Sequence, residues 1–135
     1  MFQKDIQLCV FLRNQLGKLA EVCDLLGSRG VNIRALNVSP GPDFGVMRMV
    51  VDDVGRAEAA LEEQGLPYLE VEVLAADLPN RPGMAARLGK TLSDAGVNIE
   101  YTYFSGGAPD TKALMVFMVS DIEKALDCLR GCVLE

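Results

Sequence analysis

The chain contains a second copy of itself. Moved forward by 66 residues, NQLGKLAEVCDLLGSRGVNIRALNV (14–38) falls on NRPGMAARLGKTLSDAGVNIEYTYF (80–104) without a gap. Asn14 meets Asn80, Gly17 meets Gly83, Ala20 meets Ala86, Leu26 meets Leu92, and Gly30-Val31-Asn32-Ile33 meets Gly96-Val97-Asn98-Ile99. Moved by 68, DDVGRAEAAL falls on SDIEKALDCL, pairing Asp53 with Asp121, Ala57 with Ala125 and Leu61 with Leu129. The two extra residues belong to SGGAPDT, a Gly/Pro-rich turn opposite SPGPDFG. A duplication of this kind fixes the architecture before any single element is read. A half-chain would bury only about 60% of its unfolded surface, so the two copies are expected to share an interface.

Within the first copy, Ile6, Leu8, Val10 and Leu12 alternate as a strand does. Gly17 breaks that run, and Leu19, Val22, Cys23 and Leu26 follow at helical spacing. Gly30 stands where a C-terminal helix cap would. VNIRALNV reads as the next strand, SPGPDFG as a turn and VMRMVV as a third strand. Asp53 is placed to cap a helix bearing Val54, Ala57 and Leu61, which Gly65-Leu66-Pro67 ends. The second copy repeats the order, and ALMVFMV (113–119), apolar on both alternations, is expected to be a central strand buried on both faces.

The fold class is therefore α+β: two tandem ferredoxin-like βαββαβ units, each an antiparallel sheet with its helices on one face. In that plan the first and third strands are central and the second lies at an edge. The units are assigned residues 1–70 and 71–135. LEVEVLAADL (69–78) ends one unit and opens the next, leaving almost no linker, and CLRGCVLE supplies a short last strand.

Composition narrows the chemistry. The 13 basic residues are scattered singly and the net charge is −6, which excludes a nucleic-acid footprint. No apolar run approaches the roughly 18 residues of a membrane span, and the N-terminus carries no secretory pattern; a cytoplasmic protein is expected. The four cysteines form no CxxC pair and read as small buried thiols, and Met47, Met49, Met115 and Met118 as core. There is no histidine, which removes the commonest general base, nucleophile partner and metal ligand together. No catalytic residue, metal site or cofactor is assigned.

Two sets of residues remain as candidates for function. Asn14-Gln15-Leu16-Gly17 and Asn80-Arg81-Pro82-Gly83 join the opening strand of each unit to its first helix. Locally they read as a cap, a fixed φ and a bend; functionally, a glycine before a helix lets a carboxylate or phosphate reach the first-turn N–H groups. The second set is Asn32 and Asn98, disfavoured between β-branched neighbours and so expected to use the side-chain amide either to tie down the turn or to offer a donor and an acceptor to a ligand. Each lies 18 residues after its loop asparagine, a repeat read as placing both at the same end of a unit, as a polar rim on an apolar edge.

The pattern N-x-[L/P]-G, a helix, then G-V-N-I running into an edge strand resembles the ACT domain family, small regulatory modules that bind amino acids. The resemblance covers nearly the whole chain as two tandem copies. It implies that ACT units pair through their edge strands, with an amino acid at the seam between the loop of one unit and the GVN asparagine of another. Carried over, one site combines Asn80, Pro82 and Gly83 with Asn32 and Ile33; the other combines Asn14, Leu16 and Gly17 with Asn98 and Ile99. Serine-sensing members carry a histidine two residues before the loop asparagine; Leu12 and Leu78 stand here, which opens the site to a more apolar ligand. The expectation is a non-catalytic regulatory protein that binds a small amino acid, forms a homodimer and signals to a separate enzyme or regulatory partner. The alternative is a constitutive protein–protein interaction module or regulatory subunit without a small-molecule ligand.

Overall fold

The strands and helices read from the two repeats form in the order read, as far as the helix that follows Asp121. The computed structural model describes residues 1–132. It contains β1 (Phe2–Arg13), α1 (Lys18–Ser28), β2 (Ile33–Ser39), β3 (Phe44–Val51), α2 (Val54–Glu63), β4 (Tyr68–Pro79), α3 (Met84–Asp94), β5 (Ile99–Ser105), β6 (Lys112–Val119) and α4 (Ile122–Leu129). They fall into two compact units, one of Ile6–Val71 and one of Met1–Asp5 together with Glu72 onward. Among the described residues no helix is long and apolar enough to cross a membrane.

In the Ile6–Val71 unit the strand order is β2, β3, β1, then the opening residues of β4. β1 and β2 each pair antiparallel with β3, and the Phe11 amide donates to the Pro67 carbonyl at 3.2 Å. β2 is thus an edge and β1 and β3 are central. Leu8, Val10 and Leu12 alternate onto one face with Met47, Met49 and Val51, and Val22, Leu26, Ala57 and Leu61 from the two helices close over them. Both helices lie on that face because every buried helical side chain joins this one cluster.

The other unit repeats the plan with β4 flanked by β6 and then β5. Leu74, Ala76 and Leu78 meet Met115, Phe117, Val119, Leu88, Leu92 and Leu129. Ala113 to Phe117 and Val119 of β6 are all buried, as a central strand with two apolar alternations requires. The fourth-strand place is held by the first residues of the chain. The N-terminal ammonium donates to the Asp77 carbonyl at 2.8 Å and the Asp77 amide donates back to Met1 at 2.9 Å. Phe2 packs on the core, and Lys4 pairs with Glu123 and Glu72. The last strand expected over CLRGCVLE does not begin there: Cys128 and Leu129 complete α4 and Arg130 and Gly131 form a turn, while residues 133–135 lie outside the described residues.

The GVNI tetrapeptides do the same work twice. Gly30 (φ 73°) and Gly96 (φ 77°) take the left-handed conformation that ends a helix. Gly30 N–H bonds to Gly27 O at 3.0 Å and Val31 N–H to Leu26 O at 2.9 Å; Gly96 and Val97 bond likewise to Ser93 and Leu92. This is the Schellman pattern, and its apolar contact is present in the buried Val31 and Val97. Of the cysteines Cys9 is buried, while Cys23, Cys128 and Cys132 are half-buried, and all four are free thiols.

Candidate ligand site

Two helices open with a cap and two without. Asp53 and Asp121 accept from the Arg56 and Lys124 amides at 3.0 Å, closing the first turns of α2 and α4. α1 and α3 begin instead on Gly17 (φ 84°) and Gly83 (φ 87°), and among the described residues no side chain caps either. The Lys18 and Met84 amides bond to the Gln15 and Arg81 carbonyls at 3.4 Å, so among the described residues the free first-turn donors are Leu19 and Ala20 of α1 and Ala85 and Ala86 of α3. With no aspartate cap beside them they keep the partial positive charge that receives a carboxylate. The duplication preserves the difference: in each unit the first helix is left open and the second is capped.

Asn14 and Asn80 do not cap these helices. Their side chains reach across to the hairpin tip. Asn14 Nδ2 donates to Gly41 O at 3.2 Å, and Asn80 Nδ2 to Gly107 O at 2.9 Å and Ala108 O at 3.3 Å. The main chain holds the same relation, with Asn14 N–H on Asp43 O at 2.9 Å and Asn80 N–H on Thr111 O at 2.8 Å. Each asparagine is also the middle of a tight turn, Gln15 N–H bonding to Arg13 O and Arg81 N–H to Pro79 O. The loop is thereby fixed against the hairpin while Leu16, Gly17, Pro82 and Gly83 stay exposed. The hairpin acceptors Gly41, Gly107 and Ala108 were not legible from sequence, since their role depends on which loops the fold brings together.

Between this loop, the start of α1 and the tip of β2 lies a hollow of about 230 Å3, bordered by Asn14, Gln15, Leu19, Val38 and Gly41. Sites for drug-sized ligands usually offer roughly 300 Å3 or more; this hollow is smaller and is bordered by residues of one unit only.

Asn32 and Asn98 occupy the other end of their units. β1 ends where β3 begins, with Arg13 opposite Phe44, whereas β2 begins where β3 ends, with Ile33 opposite Val51. The second unit matches, with Pro79 opposite Lys112 and Ile99 opposite Val119. The expectation that the 18-residue spacing puts both asparagines at one end is therefore wrong. The intervening 11-residue helix runs about 16 Å back along the sheet before the next strand starts. No unit can bring its own two asparagines together.

The backbones of Asn32 and Asn98 are tied down. Asn32 N–H donates to Asp52 Oδ1 at 2.9 Å and Asn98 N–H to Ser120 Oγ at 3.0 Å, and the Asp52 and Ser120 amides donate back to the asparagine carbonyls. Their side-chain amides are exposed and, among the described residues, have no partner. Ile33 and Ile99, next in the chain, are half-buried against the two cores. Among the described residues no three His, Cys, Asp or Glu side chains are grouped to hold a metal ion.

The sequence profile of the ACT domain pair family matches residues 4–131. A crystal structure of a Bacteroides thetaiotaomicron protein is similar at 32% identity and a TM-score of 0.86, over 96% of this chain and 88% of that one. The ligand-free regulatory subunit of aspartate kinase from Thermus thermophilus is similar at 20% identity and a TM-score of 0.67, over 96% of this chain and 92% of that one. Aspartate kinase from Synechocystis is similar at 23% identity and a TM-score of 0.57, over 99% of this chain but 27% of that one. No curated protein matches the sequence.

Proposed function

The chain belongs to the ACT domain family as a tandem pair, and from that premise we propose that it is a non-catalytic regulatory protein that binds a small amino acid and acts on a separate partner. The observation that carries the reading is the contrast between helix starts: α1 and α3 begin behind left-handed glycines with no side-chain cap, while α2 and α4 carry an aspartate whose negative charge would repel a carboxylate. An amino acid's carboxylate would take the open N–H groups, and its ammonium would meet an asparagine carbonyl oxygen.

The hollow at the first loop is bordered by one unit only, and in this reading its facing wall comes from another ACT unit, in the same chain or in a second copy. In one proposed site Asn80, Pro82 and Gly83 face Asn32 and Ile33 of the other unit; in the other, Asn14, Leu16 and Gly17 face Asn98 and Ile99. Binding favours one arrangement of units over others, and that preference is what a partner reads. Homodimerisation and a cytoplasmic setting belong to the same reading.

A second reading has its own support. Leu36 and Val38 on edge strand β2 and Phe104 on edge strand β5 are large apolar side chains left 39–48% exposed. They suit a permanent protein contact that needs no ligand. Calorimetry across the twenty amino acids separates the two. The sensor reading expects saturable heat from at least one, weakened at least tenfold by Asn98→Ala. No binding at millimolar concentration overturns it in favour of the contact module.

A further inference from the structure

A groove of about 720 Å3 runs along α1 in the Ile6–Val71 unit, on the side of the helix that faces the α2–β4 turn. Its volume falls in the range of sites that take drug-sized ligands. Leu25 and Leu66 form part of an apolar floor, and both are half-buried against the core. Arg13 stands at one end. Its guanidinium lies 5.8 Å from the centre of the Phe44 ring and, among the described residues, has no carboxylate partner. Two carboxylates line the helix side: Glu21, which is paired with Lys18 at 3.1 Å, and Asp24, which among the described residues has no partner. Asp24 lies six residues along α1 from Lys18, about 9 Å further down the groove.

We infer that this groove is a second small-molecule site, specific for a monocarboxylate with an apolar body. Arg13 takes the carboxylate in a charge-assisted hydrogen bond, with the Phe44 ring holding its guanidinium in place. The chain of the ligand lies over Leu25 and Leu66. Asp24 rejects a second negative charge at the far end, so a dicarboxylate of the same length is excluded by repulsion. The charges at the two ends of the groove are opposite, and an acid of this shape complements them from one end only. The site lies wholly within one unit and needs neither loop asparagine.

The test uses the full chain, which contains no tryptophan. A Gln64→Trp substitution on the exposed rim of the groove gives a single indole reporter. Octanoate is titrated as the monocarboxylate, suberate as the dicarboxylate of equal length and octylamine as the cationic control. The expected result is a saturable fluorescence change with octanoate and at least tenfold weaker responses to suberate and octylamine. Arg13→Gln added to the reporter weakens octanoate at least tenfold, Asp24→Asn restores part of the suberate response, and Asn98→Ala leaves octanoate binding unchanged. Equal responses to octanoate and suberate, an octanoate response indifferent to Arg13→Gln, or none at millimolar concentration would overturn the inference. Asn98→Ala is expected to weaken a seam site and not the groove, so loss of amino-acid binding with octanoate binding kept, or the reverse, tells the two proposals apart.

Discussion

The Asn80 side-chain amide donates to the Gly107 carbonyl at 2.9 Å, joining the strand–helix loop of its unit to the hairpin tip. The same bond in the first copy, from Asn14 to Gly41, is longer at 3.2 Å and has no second acceptor. Asn80 is half-buried and shares its amide with Ala108. Asn80→Ala should therefore cost about 1–2 kcal/mol, and Asn14→Ala less than about 1 kcal/mol. Asn80→Asp should be the worst of the three, since it turns a carboxylate toward two carbonyl oxygens. Urea unfolding of the three variants, read as the shift in midpoint at constant slope, gives the order.

Gly17 and Gly83 hold left-handed φ values, and a methyl group at either position would meet nothing within 4 Å. Gly83→Ala should lose about 1–2 kcal/mol through backbone strain alone, a fall of several degrees in Tm. Gly41→Ala differs in kind, because its Cβ would collide with the Phe44 carbonyl oxygen in the hairpin. Calorimetric scans should show it at least as destabilised although its backbone is not left-handed.

The capped helices provide a control for the open ones. Asp53→Ala and Asp121→Ala each remove a 3.0 Å bond to a first-turn amide. Each should cost about 0.5–2 kcal/mol of stability. Neither should alter amino-acid affinity measured by calorimetry, because the helices they close are not those proposed to hold the carboxylate.

Much of the fold was legible because the duplicated letters are backbone devices. Gly30 and Gly96 end helices, Asp53 and Asp121 begin them, and period-two runs mark the strands. The candidate site was legible only in part. Counting 18 residues from Asn14 to Asn32 gives separation along the chain but not direction, and α1 reverses direction. The partners of Asn14 and Asn80 escaped for a related reason: the carbonyls they bond lie 27 or 28 residues away. No side chain at those positions signals the contact.

Glu58 supplies a pH dependence of known sign. A hydrogen bond shared with Glu70, which requires one carboxyl to keep its proton, holds Glu58 above the ordinary carboxylate range. Partial burial and the charges of Glu70 and Glu62 add to this, and Tyr68 opposes it. Tyr68 in turn donates to Glu62 at 2.6 Å, which holds its phenol above the ordinary range. A carboxyl raised in the folded state stabilises below its unfolded pKa, and that contribution is lost as pH rises through the folded value. Glu58→Gln should therefore raise Tm at pH 7, with the gain shrinking toward pH 4. A gain that grew on acidification would contradict the assignment.

Recognition at the uncapped helix starts is decided by which backbone amides an amino acid touches. A titration of 15N-labelled protein, with the amino acid that calorimetry selects, measures this directly. The prediction is that the amides opening α1 or α3, Lys18 to Ala20 or Met84 to Ala86, shift together with the side-chain amide of Asn98 or Asn32. The amides opening α2 and α4 should stay still. Shifts confined to α2 and α4, or spread along the far side of α1 with the loops unmoved, would contradict it.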